Sequence, residues 1–164
     1  PITVPYSAGH LQSIYNHKPS ALIRRYADAP TKNLHEFGDG LSYSDFEYGQ
    51  ARLSRSTIGE DGSTTLSVTV LNKGKRAGDE VVQLYIRDDY SLVTRPVKEL
   101  KGFTRVSLEP REKRKIYFEI TPDMLAYYDI NMNWQVEVGD FTIMVGGSSR
   151  DRDLELVKLT VQSD

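Results

Sequence analysis

The stretch Thr64-Thr65-Leu66-Ser67-Val68-Thr69-Val70-Leu71-Asn72 decides the fold class. Leu66, Val68 and Val70 alternate with Ser67 and Thr69, so one side is apolar and the other polar. Successive side chains of a strand point to opposite faces, and this alternation is that of a strand with one buried side. The same period recurs further along the chain. Val82, Leu84 and Ile86 alternate with Gln83 and Tyr85; Ile116, Phe118 and Ile120 with Tyr117 and Glu119; Phe141, Ile143 and Val145 with Thr142 and Met144. One buried face per strand is typical of antiparallel sheets.

Turn residues punctuate these runs. Gly59-Glu60-Asp61-Gly62 precedes the 64–72 segment, Asn72-Lys73-Gly74-Lys75 and Ala77-Gly78-Asp79 follow it, and Glu109-Pro110-Arg111-Glu112 precedes the Ile116 run. Gly146-Gly147-Ser148-Ser149 closes the Phe141 run. Gly reaches positive φ cheaply, and Pro110 removes a ladder donor, so these segments suit turns. About seven strands result, at 45–54, 64–72, 80–88, 98–106, 114–121, 134–145 and 154–161, which predicts an all-β, two-sheet β-sandwich. The last segment changes phase, with Leu154 and Leu156 on one parity and Val157, Leu159 and Val161 on the other. A bulge near 156–157 would reconcile them. Only Thr121-Pro122-Asp123-Met124-Leu125 reads as helical, with Thr121 as cap and Pro122 in the first turn. Residues 1 to about 43 show no sustained period and form an irregular N-terminal extension.

Composition narrows the function classes. With 38% hydrophobic and 27% charged residues in 164, a packed core is expected. Lys and Arg number 21 against 23 Asp and Glu, and no basic block exists, so neither nucleic acid nor an anionic membrane surface is an expected partner. No apolar run nears the roughly 20 residues that span a bilayer. There is no Cys, which excludes disulfides and thiol chemistry. None of the Asn residues lies in a glycosylation sequon. Pro1-Ile2-Thr3-Val4-Pro5 carries no initiator Met and no signal-peptide pattern, so the chain is expected to start inside a longer polypeptide.

Several ordered motifs go further. Phe37-Gly38-Asp39-Gly40-Leu41-Ser42-Tyr43-Ser44-Asp45-Phe46 resembles the FGxGLSYxxF signature of family 3 glycoside hydrolases, although Asp39 stands where that pattern often has an aromatic. Val70-Leu71-Asn72-Lys73-Gly74 with Ala77 to Ile86 is similar to VxNxGxxxGxEVxQLY, and Arg95 to Phe103 to RPxKELKGF. Trp134, Gly139-Asp140-Phe141 and Val145 to Asp151 resemble the Wx(n)GxF/YxxxVGxSSxD ending of the same family. The resemblance implies a fibronectin type III/immunoglobulin-like sandwich over 44–164, a linker at 37–43, and the tail of a preceding α/β-sandwich catalytic domain at 1–36. It also implies a β-glucosidase-like parent that hydrolyses terminal non-reducing β-D-glycosyl residues with retention. The upstream catalytic domains would be its partners, and its compartment periplasmic or extracellular. In the motifs themselves, Gly38 and Gly40 let the linker turn while Phe37, Leu41 and Tyr43 anchor it to apolar surface. Gly102 is expected to allow close approach or a bulge beside a core ring, Phe103.

No catalytic residue is expected here. A retaining glycosidase needs two carboxyls about 5–5.5 Å apart, and the resemblance puts the nucleophile and the acid/base upstream. Ser44-Asp45-Phe46 imitates a nucleophile motif but is read as the start of the first strand. Asp88-Asp89 is read as a solvated strand end, since no oxygen-ligand loop follows. His10, His17 and His35 lack metal-ligand spacing, and Gly146-Gly147-Ser148-Ser149-Arg150 lacks the context and Lys of a phosphate loop. Neither metal nor cofactor is expected. The candidate sugar contacts are Tyr15, His17 and Lys18, within Tyr15-Asn16-His17-Lys18-Pro19 and near Arg24 and Arg25. The alternative is that this stretch fixes the contact between the α/β domain and the sandwich. Tyr85 and Tyr117, on outward parity, and Tyr127-Tyr128 keep open a second function class, an independent oligo- or polysaccharide-binding module. The extension at 1–36 is expected to be extended, packed on the sandwich or on a neighbouring molecule, and less ordered than 64–161. Left bare, its apolar surface would favour self-association.

Overall fold

The computed structural model describes residues 2–10, 13–19, 30 and 32–163. Its strands are β1 (Phe46–Tyr48), β2 (Arg52–Leu53), β3 (Thr57–Gly59), β4 (Thr64–Asn72), β5 (Gly78–Asp88), β6 (Glu99–Leu108) and β7 (Lys113–Ile120). A short helix α1 (Pro122–Leu125) follows, then β8 (Tyr127–Tyr128), β9 (Trp134–Gln135), β10 (Gly139–Gly146), a 3₁₀ turn at Asp151–Asp153, and β11 (Leu154–Gln162). In one sheet β4 pairs with β7 on one edge and with β1 and β2 in succession on the other. The second runs β3-β11-β10-β5-β6, antiparallel except for β3 beside β11. β8 and β9 form a separate hairpin. This is an all-β two-sheet sandwich.

The alternating residues meet between the sheets. Leu66, Val68 and Val70 face Val82, Leu84 and Ile86, with Ile116, Ile120, Phe141, Ile143, Val145, Leu159 and Val161 around them. Burying each such side chain stabilises the fold by about 1.5–3 kcal/mol. At one end Asn72, fully buried, donates to Arg76 O (2.8 Å) and Leu108 O (3.1 Å) and accepts from Gly74 N (2.9 Å). Its amide closes that end of the core without an unmet polar atom.

Several expectations need correction. The 45–54 strand is split, because residues 49–51 leave the ladder while Ala51 turns into the core. The 134–145 strand is split at 136–138. β3 has one apolar residue, Ile58, and therefore no period to read. Thr121 sits at the N-cap position of α1 without a side-chain cap bond. No bulge occurs at 156–157: β11 pairs in continuous register from Leu154↔Gly146 to Val161↔Gly139. The phase change arises because the five-stranded sheet has two apolar faces. Val157, Leu159 and Val161 serve the inner core, whereas Leu154 packs with Tyr85 and Met144 on the outer face. The bulge lies instead in the β5–β6 pairing, where Leu84 faces Gly102 and Tyr85 faces Leu100. Phe103 is 68% exposed and is not a core ring.

Candidate functional site

The outer face of the five-stranded sheet is where the N-terminal extension and the sandwich meet. Tyr85 lies between Leu84 and Ile86, so its ring must point away from the core. It is nevertheless fully buried, because Tyr15 and Phe37 cover it. The Tyr15 and Phe37 rings stack at 4.2 Å, and Tyr15 meets Tyr85 edge-on at 6.0 Å. Both are favoured aromatic geometries. Hydrogen bonds from main-chain N–H groups stitch the cover down: Val97 N donates to His17 O (2.9 Å), Ser149 N to Phe37 O (2.8 Å) and Leu100 N to the Tyr15 side-chain Oη (3.3 Å). Burial, with Tyr15 nearby, pushes the Tyr85 hydroxyl well above the ordinary tyrosine range.

Polar side chains frame this seam. Tyr85 Oη donates to Gln83 Oε1 (2.6 Å), and Gln83 Nε2 donates to Gly147 O and to Gly38 O (3.4 Å). Gly38 has φ of 81°, and a Cβ there would fall on the Gln83 amide, so the chain needs glycine at this turn. Lys98, 7% exposed, donates to Ser149 O (2.8 Å) and pairs with Asp151. Asp39, the departure from the family pattern, pairs with Arg150 and lies 3.6 Å from His35 Nδ1. Beyond it the linker leaves the surface: Leu41 is 98% and Tyr43 96% exposed. The expectation that both anchor the linker is corrected, since only Phe37 does.

The sequence candidates separate. Tyr15 faces the sandwich. The His17 ring bonds to Lys18 O (Nδ1, 3.0 Å), and the Lys18 side chain points to solvent. Tyr15 and His17 line a cleft of about 990 Å³ with Lys98, Arg150 and Asp151, whereas Lys18 is not part of its wall. Arg24 and Arg25 lie outside the described residues. Two acids border the cleft. Asp151 is 90% exposed and held by Lys98, and Glu36 accepts from Asn33 Nδ2 (2.9 Å). Both are occupied in tying loops together. Among the described residues, no group of three His, Asp or Glu side chains is placed to hold a metal ion. His10 bonds to Ser7 Oγ (2.7 Å) and Pro30 O (2.9 Å) within the extension. Ser44 Oγ donates to Arg76 O (2.8 Å), and β1 begins two residues later.

At the far end of β5 the reading of Asp88-Asp89 as solvated is corrected. The Asp88 side chain is 2% exposed and pairs with Arg95 Nη1 at 3.0 Å. Arg95 also reaches Glu99 (3.3 Å) and Leu125 O (3.1 Å) and lies 5.2 Å over the Tyr127 ring. Burial raises the Asp88 carboxyl above the usual range, against the pull of Arg95. Burial alone would raise Asp89 too, but bonds from Lys158, Thr142 and Arg87 outweigh it and hold that carboxyl low. At the opposite end Tyr48 Oη donates to Glu80 Oε1 at 2.7 Å. Burial raises Glu80, and burial followed by the charge of Glu80 raises Tyr48. Sequence reasoning missed Gln83, Lys98 and the Asp39–Arg150 pair. The one available signal was a polar residue, Gln83, between Val81-Val82 and Leu84-Tyr85-Ile86.

Residues 80–149 match the fibronectin type III-like domain. The protein is therefore, as a class, a fibronectin type III-like sandwich with a covered outer face. A putative β-xylosidase of Formosa agariphila is 42% identical over 151 residues, 92% of this chain and 20% of that protein. The periplasmic β-glucosidase of Salmonella typhimurium is 36% identical over 159 residues, 91% of this chain and 21% of that protein. Among solved structures, a β-glucosidase of Erythrobacter marinus superposes with a TM-score of 0.93 at 39% identity, covering 99% of this chain and 21% of that one. The chain belongs to the family 3 glycoside hydrolases, as their C-terminal, fibronectin type III-like part. It spans about a fifth of the length of the curated relatives it matches.

Proposed function

We propose that the chain is the interdomain module of a β-glucosidase-type enzyme and is not itself catalytic. Residues 1–36 are the tail of the second catalytic domain, 37–43 the linker and 44–164 the bracing sandwich. The observation that carries this reading is the cover: Tyr15 and Phe37 stacked over Tyr85 and stitched by main-chain bonds at Val97, Leu100 and Ser149. A sandwich that grips the polypeptide reaching it fixes the pose of whatever precedes that polypeptide. Leu41 and Tyr43 beside the grip, with Val81 41% and Phe103 68% exposed on the outward parity of β5 and β6, supply an apolar face for the preceding domains. With that face unmet, the chain on its own is expected to self-associate. The parent enzyme then hydrolyses terminal non-reducing β-D-glycosyl residues by the two-carboxyl retaining route, with both carboxyls on the preceding domains.

Two assays test this. The purified chain is expected to give no turnover of aryl β-glucosides or aryl β-xylosides above buffer; turnover removes the non-catalytic reading. In the parent enzyme, Leu41→Asp with Tyr43→Asp is expected to lower the temperature of inactivation and leave KM unchanged. Unchanged heat resistance in that variant contradicts the bracing role.

A further inference from the structure

The β8–β9 hairpin carries a feature that bracing does not use. Tyr128 and Trp134 are directly paired across its strands, their rings 4.9 Å apart and tilted by 55°. They remain 56% and 50% exposed. The tip continues the strip, with Ile130 81% and Met132 73% exposed. The loop is held firmly: Asp129 Oδ1 accepts from Asn131 N and Asn133 N, both at 2.8 Å, and Asp129 Oδ2 from Asn133 Nδ2 at 3.1 Å. Trp134 Nε1 donates to Asp123 Oδ1 at 3.5 Å, which fixes the indole from the side of α1. The rings are thus presented in place rather than free to fold back onto the sandwich.

Charge narrows what they present themselves to. From Thr121 to Val138 there is no Lys or Arg, while Asp123, Asp129 and Glu137 are acidic. Arg95, which lies over the neighbouring Tyr127 ring, is committed to Asp88 and Glu99. A phosphate-bearing or otherwise anionic ligand finds no counter-charge. An apolar protein surface closing on the pair would strand the Asp123 and Asp129 carboxylates away from water, at a cost. A sugar chain avoids both penalties. Its C–H faces lie on aromatic rings, and its hydroxyls donate to carboxylate lone pairs that Trp134 and the Asn residues leave open.

We propose that Tyr128 and Trp134, flanked by Asp123 and Asp129, form an auxiliary contact site for a neutral β-linked glycan chain. The proposal rests on the family 3 reading only for its choice of probe. Trp134 is the one tryptophan in the chain, so its fluorescence reports on this site alone. The test is titration of the whole chain with soluble β-glucan and with xylan, followed by affinity electrophoresis in gels containing each. A saturable shift of Trp134 emission is expected, with retardation that weakens about tenfold in Tyr128→Ala and in Trp134→Ala. Tyr117→Ala, an exposed ring elsewhere, is expected to behave as wild type. The absence of any saturable shift with either polysaccharide overturns the proposal, without need of a variant. So does equal retardation of Tyr128→Ala or equal weakening by Tyr117→Ala. The bracing role is read from heat inactivation of the parent enzyme, so a negative titration leaves it standing.

Discussion

Arg95 satisfies three acceptors at once, the Asp88 and Glu99 carboxylates and the Leu125 carbonyl, and its guanidinium covers the Tyr127 ring. Removing it by Arg95→Leu leaves Asp88 buried without its partner. The expected loss is about 3–5 kcal/mol in urea denaturation near neutral pH. The deficit should shrink in acid, where Asp88 takes up a proton and no charge remains to be buried. Glu80 gives a second residue-scale test. Burial holds its carboxyl above the usual glutamate range against the Tyr48 bond, so the folded chain keeps that proton to higher pH than the unfolded chain does. The stability this contributes is present below the ordinary glutamate pKa and is lost as pH rises through the folded value. Glu80→Gln cannot ionise. Relative to wild type it should gain stability as pH rises above the ordinary glutamate pKa, measured by urea midpoints across a pH series. Neither partnership was legible in the sequence. Asp88 looked solvated because its partner lies beyond an intervening loop, and Tyr48 and Glu80 meet only once β1 and β5 are both placed.

At the scale of elements, the strands with one buried face were readable because their period is two: β4, β5, β7 and β10 fall where the alternation puts them. β11 misled for a physical reason. A strand in a sheet apolar on both sides has no polar parity, and its apolar residues look out of phase when only one face is imagined. Tyr85 misled in the same way, since its outward parity is real but its exposure is not. Of the two placements expected for residues 1–36, on the sandwich or on a neighbouring molecule, Tyr15 takes the first, its ring seated on the outer face. The cover supplies a prediction of its own. Tyr15→Ala removes the ring that bridges Phe37 and Tyr85. Amide exchange should accelerate at Val97, Leu100 and Ser149, whose N–H groups depend on the cover or abut it, while Val68 and Ile143 between the sheets stay protected. Equal acceleration at all five positions would mean that the cover and the sandwich open as one unit.

For the molecule as a whole, the sandwich and its family followed from a period and a handful of ordered motifs. The placement of the N-terminal extension did not, because it depends on contacts between residues far apart in the chain. Tyr15 reaches Leu100, Gly38 reaches Gln83, and Asp39 reaches Arg150. The pairing of Tyr128 with Trp134 was equally hidden, since it exists only once the β8–β9 hairpin is formed.

Those long-range ties impose an order of assembly. During synthesis Tyr15 and Phe37 leave the ribosome well before Leu100 and Ser149 exist to receive them. The early residues must therefore wait, unsheltered, until the last third of the chain has folded. The seating of Tyr15 and Phe37 on the outer face is therefore the closing step of this chain's own assembly, timed by translation of the segment that carries Leu100 and Ser149.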